Sequence, residues 1–89
     1  MRAVLTVIGR DKEGIIAQVS DVLWKRNINI LDIAQNVLED VFAMVMLVEL
    51  QKSTVPIAEL KKEMEDVGEK LGMKIHVMHE DIFNSMHRI

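Results

Sequence analysis

The residues able to do chemistry fall in two places along the 89-residue chain. The first is GRDKEGII, Gly9 to Ile16, where four charged residues stand between two glycines and a helix-like pattern follows. Backbone N–H groups at the start of a helix lack intrahelical partners and carry partial positive charge, so a helix opening here offers an anion site. Gly14 lacks the side chain that would hold a ligand off the backbone, although a tight turn at positive φ, or close packing of helix on strand, needs a glycine as well. Asp11 sets a carboxylate beside that positive pole. The combination suits a zwitterion such as a free amino acid, while helix capping is the blander role for the same carboxylate. The second place is the set His76, His79 and His87, which invites a metal. Strand residues three apart point to opposite faces, so His76 and His79 do not share an ion within a regular strand. His79, Glu80 and His87 converge only if the end of the chain folds back. No metal site is expected, and no cofactor. No Ser-His-Asp, Cys-His or paired-acid constellation occurs either, so no catalytic residue is assigned.

These residues need elements to position them. Arg2 to Ile8 is rich in β-branched residues and stops at Gly9, which predicts a first strand. Ile15, Ile16, Val19, Val22, Leu23 and Arg26 recur at helical spacing, with Asp11 as the expected N-cap or first-turn anion. Trp24 lies off that stripe and is expected to flank the core or cover a neighbouring surface. Ile28 to Leu38 and Val41 to Leu50 predict two strands joined by the two-residue turn Glu39-Asp40. A second helix is expected behind a Ser53 or Thr54 cap, with Pro56 in its first turn, the stripe Ile57, Leu60, Met64, Val67 and Leu71, and a stop at Gly72. Met73 to His79 predicts a fourth strand. Behind a possible cap at Asp81, Ile82, Met86 and Ile89 share one helical face of a short tail. The domain is thus residues 1–79, with 80–89 a tail packing on the domain or on a partner.

The order β-α-β-β-α-β predicts an α+β fold, a ferredoxin-like sandwich with a four-stranded antiparallel sheet and both helices on one face. In VFAMVMLV, Val41 to Val48, both strand parities are apolar. A sheet with helices on one face normally shows polar residues on the other, so the tail, a partner subunit or both are expected to cover the second face.

Composition sets outer limits. The chain has no cysteine, which excludes disulfides and thiolate chemistry. A formal net charge of −3 and three aromatic residues disfavour nucleic acid as a partner. The run Val41 to Val48 is far shorter than the ~20 residues that span a bilayer, so no membrane partner is expected. Met1 and Arg2 lead into a short apolar stretch without a cleavage-site pattern; no signal peptide is read, and the cytoplasm is the expected address. The seven methionines suit adaptable core filler.

A strand ending at Gly9, then D-K-E-G-I (Asp11 to Ile15), a helix, and N-I-N-I (Asn27 to Ile30) opening the second strand resembles the ACT domain. That family comprises small β-α-β-β-α-β modules that bind amino acids or similar effectors and regulate metabolic enzymes. The resemblance covers about residues 3–79 and is nearest to stand-alone ACT proteins with relatives among regulators of the glycine cleavage system. It implies that Gly14 is the family's loop–helix glycine, that Asp11 touches the effector's amino group, and that the backbones of Ile15 and Ile30 line the site. It also implies that Asn29 reaches the effector from the neighbouring subunit of a homodimer, in which two domains pair into an eight-stranded sheet. Gly9 stands where some amino-acid-binding members carry a side-chain ligand, and Glu13 where many have proline. The implied function is a regulatory, non-enzymatic amino-acid sensor acting on an enzyme or regulator protein. The alternative is an interaction module that has kept the fold and lost the effector. A further alternative is an enzyme like the acylphosphatases, which share a similar fold and use an arginine and an asparagine; Arg10 with Asn29 or Asn36 would take those roles. Asp11 and Glu13, however, oppose an incoming phosphate. Heavy-metal chaperones of this fold use paired cysteines and are excluded.

Overall fold

A computed structural model describes residues 1–86. Its elements run β1 (Arg2–Arg10), α1 (Ile15–Lys25), β2 (Asn29–Leu38), β3 (Val41–Glu49), α2 (Ile57–Leu71), β4 (Met73–His79) and α3 (Glu80–Met86). The four strands form one antiparallel sheet in the order β2-β3-β1-β4, the expected ferredoxin-like arrangement.

Side-chain alternation divides the sheet into two faces. On the helix-covered face, Ala3, Leu5 and Val7 of β1 join Phe42, Met44, Met46 and Val48 of β3 and Met73, Ile75 and Val77 of β4. Ile15, Val19 and Leu23 of α1 and Leu60, Met64 and Leu71 of α2 close over them. Met44, Met46, Met64 and Met73 serve as core filler, as their flexible thioethers allow. The Glu39-Asp40 turn joins β2 to β3, and Glu39 takes a φ of 57° to close it. Gly72 ends α2 at a φ of 70°, a left-handed conformation that a residue without Cβ adopts at no steric cost.

The other face of the sheet is only partly covered. Val4 lies on it and is 3% exposed yet outside the core cluster, whereas Ile8, four residues along the same row, is 51% exposed. Helix α3 packs against β1 and β4, and the ion pair between Arg2 and Glu80 ties its start to β1. Helix α3 therefore shields one end of the face, and Ile8, Val41 and Val45 stay exposed. Ile82 and Met86 of α3 are themselves exposed, and the expected Ile89 and His87 lie outside the described residues. Among the described residues no helix is long and apolar enough to cross a membrane.

Three local expectations change. The N-cap of α1 is Gly14, with no side-chain cap, because β1 continues to Arg10 and leaves Asp11 four residues before the helix. The N-cap of α2 is Pro56, also without a side-chain cap. Ser53 instead donates from Oγ to the Val55 carbonyl (2.7 Å), and Thr54 leans on the Arg26 carbonyl. Helix α3 starts at Glu80, which places Asp81 inside its first turn; the Asp81 N–H donates to His79 Nδ1 (3.0 Å).

Candidate functional site

The loop between β1 and α1 is built by two glycines with different jobs. At Gly14 the backbone sits at φ 82°, where L side chains are strained, and an added Cβ would meet little besides Gln18 Nε2 at 3.6 Å. Its turn, rather than crowding, requires glycine, and open space remains in front of α1. At Gly9 an added Cβ would run into the Met73 sulfur and lie 3.1 Å from the Gly72 carbonyl. Packing of β4 against Gly9 thus leaves no room for a side chain at this position.

The first helical hydrogen bond of α1 runs from the Gln18 N–H to the Gly14 carbonyl (3.0 Å). The amides of Ile15, Ile16 and Ala17 thus begin the helix with no capping side chain and no acidic residue in the first turn. The Ile15 side chain is buried in the core, so only its backbone faces the loop. Asp11 is exposed, and its N–H donates to the Asp40 carbonyl (2.8 Å), which ties the loop to the β2–β3 hairpin. Arg10 faces Asp40 at 3.6 Å, with both side chains largely in water.

Asn29 and Ile30 lie elsewhere. Asn29 pairs with Glu49, which pairs with Arg2, so β2 begins at the end of the sheet where β1 begins. The loop follows Arg10 at the opposite end, about 27 Å away along a nine-residue strand. One copy therefore brings Asp11, Gly14 and Ile15 together but not Asn29 and Ile30. The same separation parts Arg10 from Asn29, and Asn36 sits on β2, two strands from β1. The arginine and asparagine of an acylphosphatase-like site are not gathered.

At the Asn29 end is a groove of about 440 Å³ lined by Trp24, Asn27, Ile28, Asn29, Glu49, Gln51 and Lys52. Helix α1 ends there in a left-handed Asn27 (φ 60°), with the Ile28 N–H returning to the Leu23 carbonyl (2.9 Å) and the Asn27 N–H to Trp24 (3.0 Å). Asn27 Nδ2 then donates to the Lys52 carbonyl (3.1 Å) and fixes the opposite wall. The Glu49 carboxylate accepts from the Met1 amino group (2.9 Å) and the Gln51 N–H (3.1 Å), and the first of these holds its pKa below the ordinary carboxylate value. Trp24 does not cover a neighbouring surface: it is 77% exposed. Its place off the apolar stripe and the choice of Asn29 were the sequence signals for this groove. Glu49, Gln51 and Lys52 gave none, because they join it only through strand register.

Among the described residues no three His, Cys, Asp or Glu side chains converge on a metal position. His76 pairs with Thr6 in the middle of the sheet, while His79 is engaged with Asp81 at its end.

The edge strand β2 connects the two ends. Nine of its ten residues are exposed, Ile30 being half-buried, and Leu31, Ile33, Val37 and Leu38 are large and apolar. The register shifts between Ile30 and Asp32, and the Asp32 carboxylate takes the Ile33 N–H (2.9 Å).

A sequence profile of the ACT domain family matches residues 2–78. A UPF0237 protein of Methanocaldococcus jannaschii is 52% identical over 88 residues, covering 99% of this chain and 98% of the relative. Among solved structures, an ACT domain protein from Streptococcus pneumoniae superposes with a TM-score of 0.81 at 37% identity, with 93% of each chain covered. The ligand-free regulatory subunit of aspartate kinase from Thermus thermophilus matches at 25% identity and a TM-score of 0.69, covering 89% of this chain and 51% of that one.

Proposed function

Because the chain belongs to the ACT domain family, we propose that it is a small regulatory module that binds a free amino acid or similar effector between two copies of itself. The observation that supports this reading is that the β1–α1 loop is tied to the hairpin at one end of an exposed edge strand, while Asn29 begins that strand at the other end. If two copies of β2 pair antiparallel along their full length, Asn29 of one stands opposite Leu38 of the other. That position adjoins the hairpin to which Asp11 is tied. Each seam end then joins Asp11, Gly14 and the Ile15 amide of one copy to Asn29 and Ile30 of its neighbour. The uncapped amides of α1 suit the effector's carboxylate and Asp11 its ammonium group. Pairing also buries the apolar edge, which a lone molecule leaves open to non-specific strand addition.

An effector seated across the seam favours the paired state and stabilises it by RT ln(1 + [L]/Kd), about 2.7 kcal/mol at a hundred times Kd. A cytoplasmic enzyme or regulator protein that reads the pair is the partner this role requires. The test is sedimentation of the full chain together with a thermal-shift panel of the twenty amino acids. A dimer and a shift with at least one amino acid are expected. A strict monomer removes the shared seam, and no shift at millimolar concentration removes the amino acid.

A second reading, a protein-interaction module without effector, is favoured by Gly9, whose packing on Met73 denies the loop a ligand side chain, and by the uncovered apolar row Ile8, Val41 and Val45. A dimer indifferent to every amino acid would support it.

A further inference from the structure

The groove at the start of β2 carries more than Asn29. Trp24, the single tryptophan of the chain, stands 77% exposed beside it and takes no part in the core. An indole can bury some 150–250 Å² and pairs well with other rings, so its place over a groove marks a surface ready to take apolar matter. The polar lining has a definite sign. Glu49 Oε2 accepts from both the Met1 amino group and the Gln51 N–H. Lys52 makes no ion pair among the described residues, and the carboxamides of Asn29 and Gln51 make no side-chain hydrogen bond there. With the Glu49 charge offset by the Met1 amino group, the lining keeps the unpaired Lys52 ammonium and two carboxamides whose N–H groups can donate to a carboxylate. The walls are fixed by the Asn27–Lys52 bond and by the pair between Arg26 Nε and Glu63 (2.9 Å), which locks the end of α1 to α2.

We infer that this groove is the specificity half of the effector site: Trp24 forms the wall for the effector's side chain, and Lys52 with Asn29 joins the α1 amides of the partner subunit in holding its carboxylate. The effector class is an α-amino acid with an aromatic or large aliphatic side chain. The inference rests on the seam reading above, which brings the ammonium-binding Asp11 of the partner subunit to the mouth of the groove. A volume of about 440 Å³ lies within the usual range for small-molecule sites, roughly 300–1,000 Å³.

The test titrates the full chain with L-phenylalanine, L-leucine and glycine. Tryptophan fluorescence reports on the wild type, since Trp24 is the sole source, and calorimetry reports on the variants. Phenylalanine and leucine are expected to bind about tenfold tighter than glycine or better, and phenylalanine to shift the emission. Trp24→Ala should bring phenylalanine down to the level of glycine, and Trp24→Phe should restore the preference. Lys52→Met should weaken all three ligands alike. Both side chains are exposed, so circular dichroism of the variants should match the wild type. Glycine binding as tightly as phenylalanine, or Trp24→Ala leaving phenylalanine affinity intact, overturns the inference and leaves the amino-acid module standing. No binding of any amino acid overturns both.

Discussion

Replacing Asp11 by alanine separates a structural carboxylate from one that meets a ligand. The side chain is exposed, lies four residues before α1 and forms no hydrogen bond or ion pair among the described residues. Its one anchoring contact, the N–H to the Asp40 carbonyl, belongs to the backbone and survives in alanine. Without ligand, Asp11→Ala should therefore change unfolding free energy by no more than about 0.5 kcal/mol, as for other surface positions. A charge-assisted hydrogen bond to an effector's ammonium is worth about 1.5–3 kcal/mol, and solvent at this open loop places the loss toward the lower end. About 1.4 kcal/mol is a tenfold loss of affinity. The assay is calorimetric titration with the amino acid that gives the largest thermal shift, beside urea denaturation without it. Asp11→Asn, which keeps an acceptor and loses the charge, should fall between the two. Unchanged affinity refutes the ammonium contact. A ligand-free stability loss beyond about 1 kcal/mol returns Asp11 to a structural role.

Gly68 tests the packing of α2 on β4: an added Cβ would lie 2.7 Å from the Met73 carbonyl and 3.2 Å from Ile75 Cγ1. Helix propensity alone makes Gly68→Ala stabilising by about 1 kcal/mol, but the clash should reverse the sign to a loss of about 1–2 kcal/mol, some 5–15 °C in a thermal melt. A rise in melting temperature would show that α2 shifts freely. For Glu49, the Met1 amino group depresses the folded carboxyl pKa, so its stabilising effect is present above the ordinary carboxylate range and fades as pH falls through the folded value. Glu49→Gln should lower the melting temperature at neutral pH, and the gap to the wild type should close in acid; a gap that stays constant to acid pH contradicts the pairing.

The elements were readable wherever a local signal was strong. The spacing of Leu60, Met64 and Leu71, the left-handed stop at Gly72 and the two-residue turn at Glu39-Asp40 each follow from short-range rules, and the sheet order follows from the alternation of strands and helices. The helix starts were misread because serine, threonine and aspartate favour caps only when the chain enters at the right place. β1 runs one residue past Gly9, and Ser53 is drawn into its own bond with Val55. Gly68 reads as a gap in an apolar stripe, since nothing local announces the carbonyl of Met73 behind it. Asp11 and Asn29 were legible as residue types. Their separation by the length of the sheet was not, because it depends on pairings of Asn29 with Glu49 and of Glu49 with Arg2 that link distant parts of the chain.

The backbone bond from Asp11 to Asp40 carries a consequence for how such a molecule would respond. It joins the loop to the far end of β2, so whatever steadies the loop also steadies the end of the strand along which two copies would meet. Coupling of this kind is reciprocal: an effector that strengthens association by some factor is itself held more tightly in the associated form by the same factor. For an effector seated across β2, dilution would then weaken its grip even at constant effector concentration. The protein's own abundance would be an input to the signal alongside the metabolite.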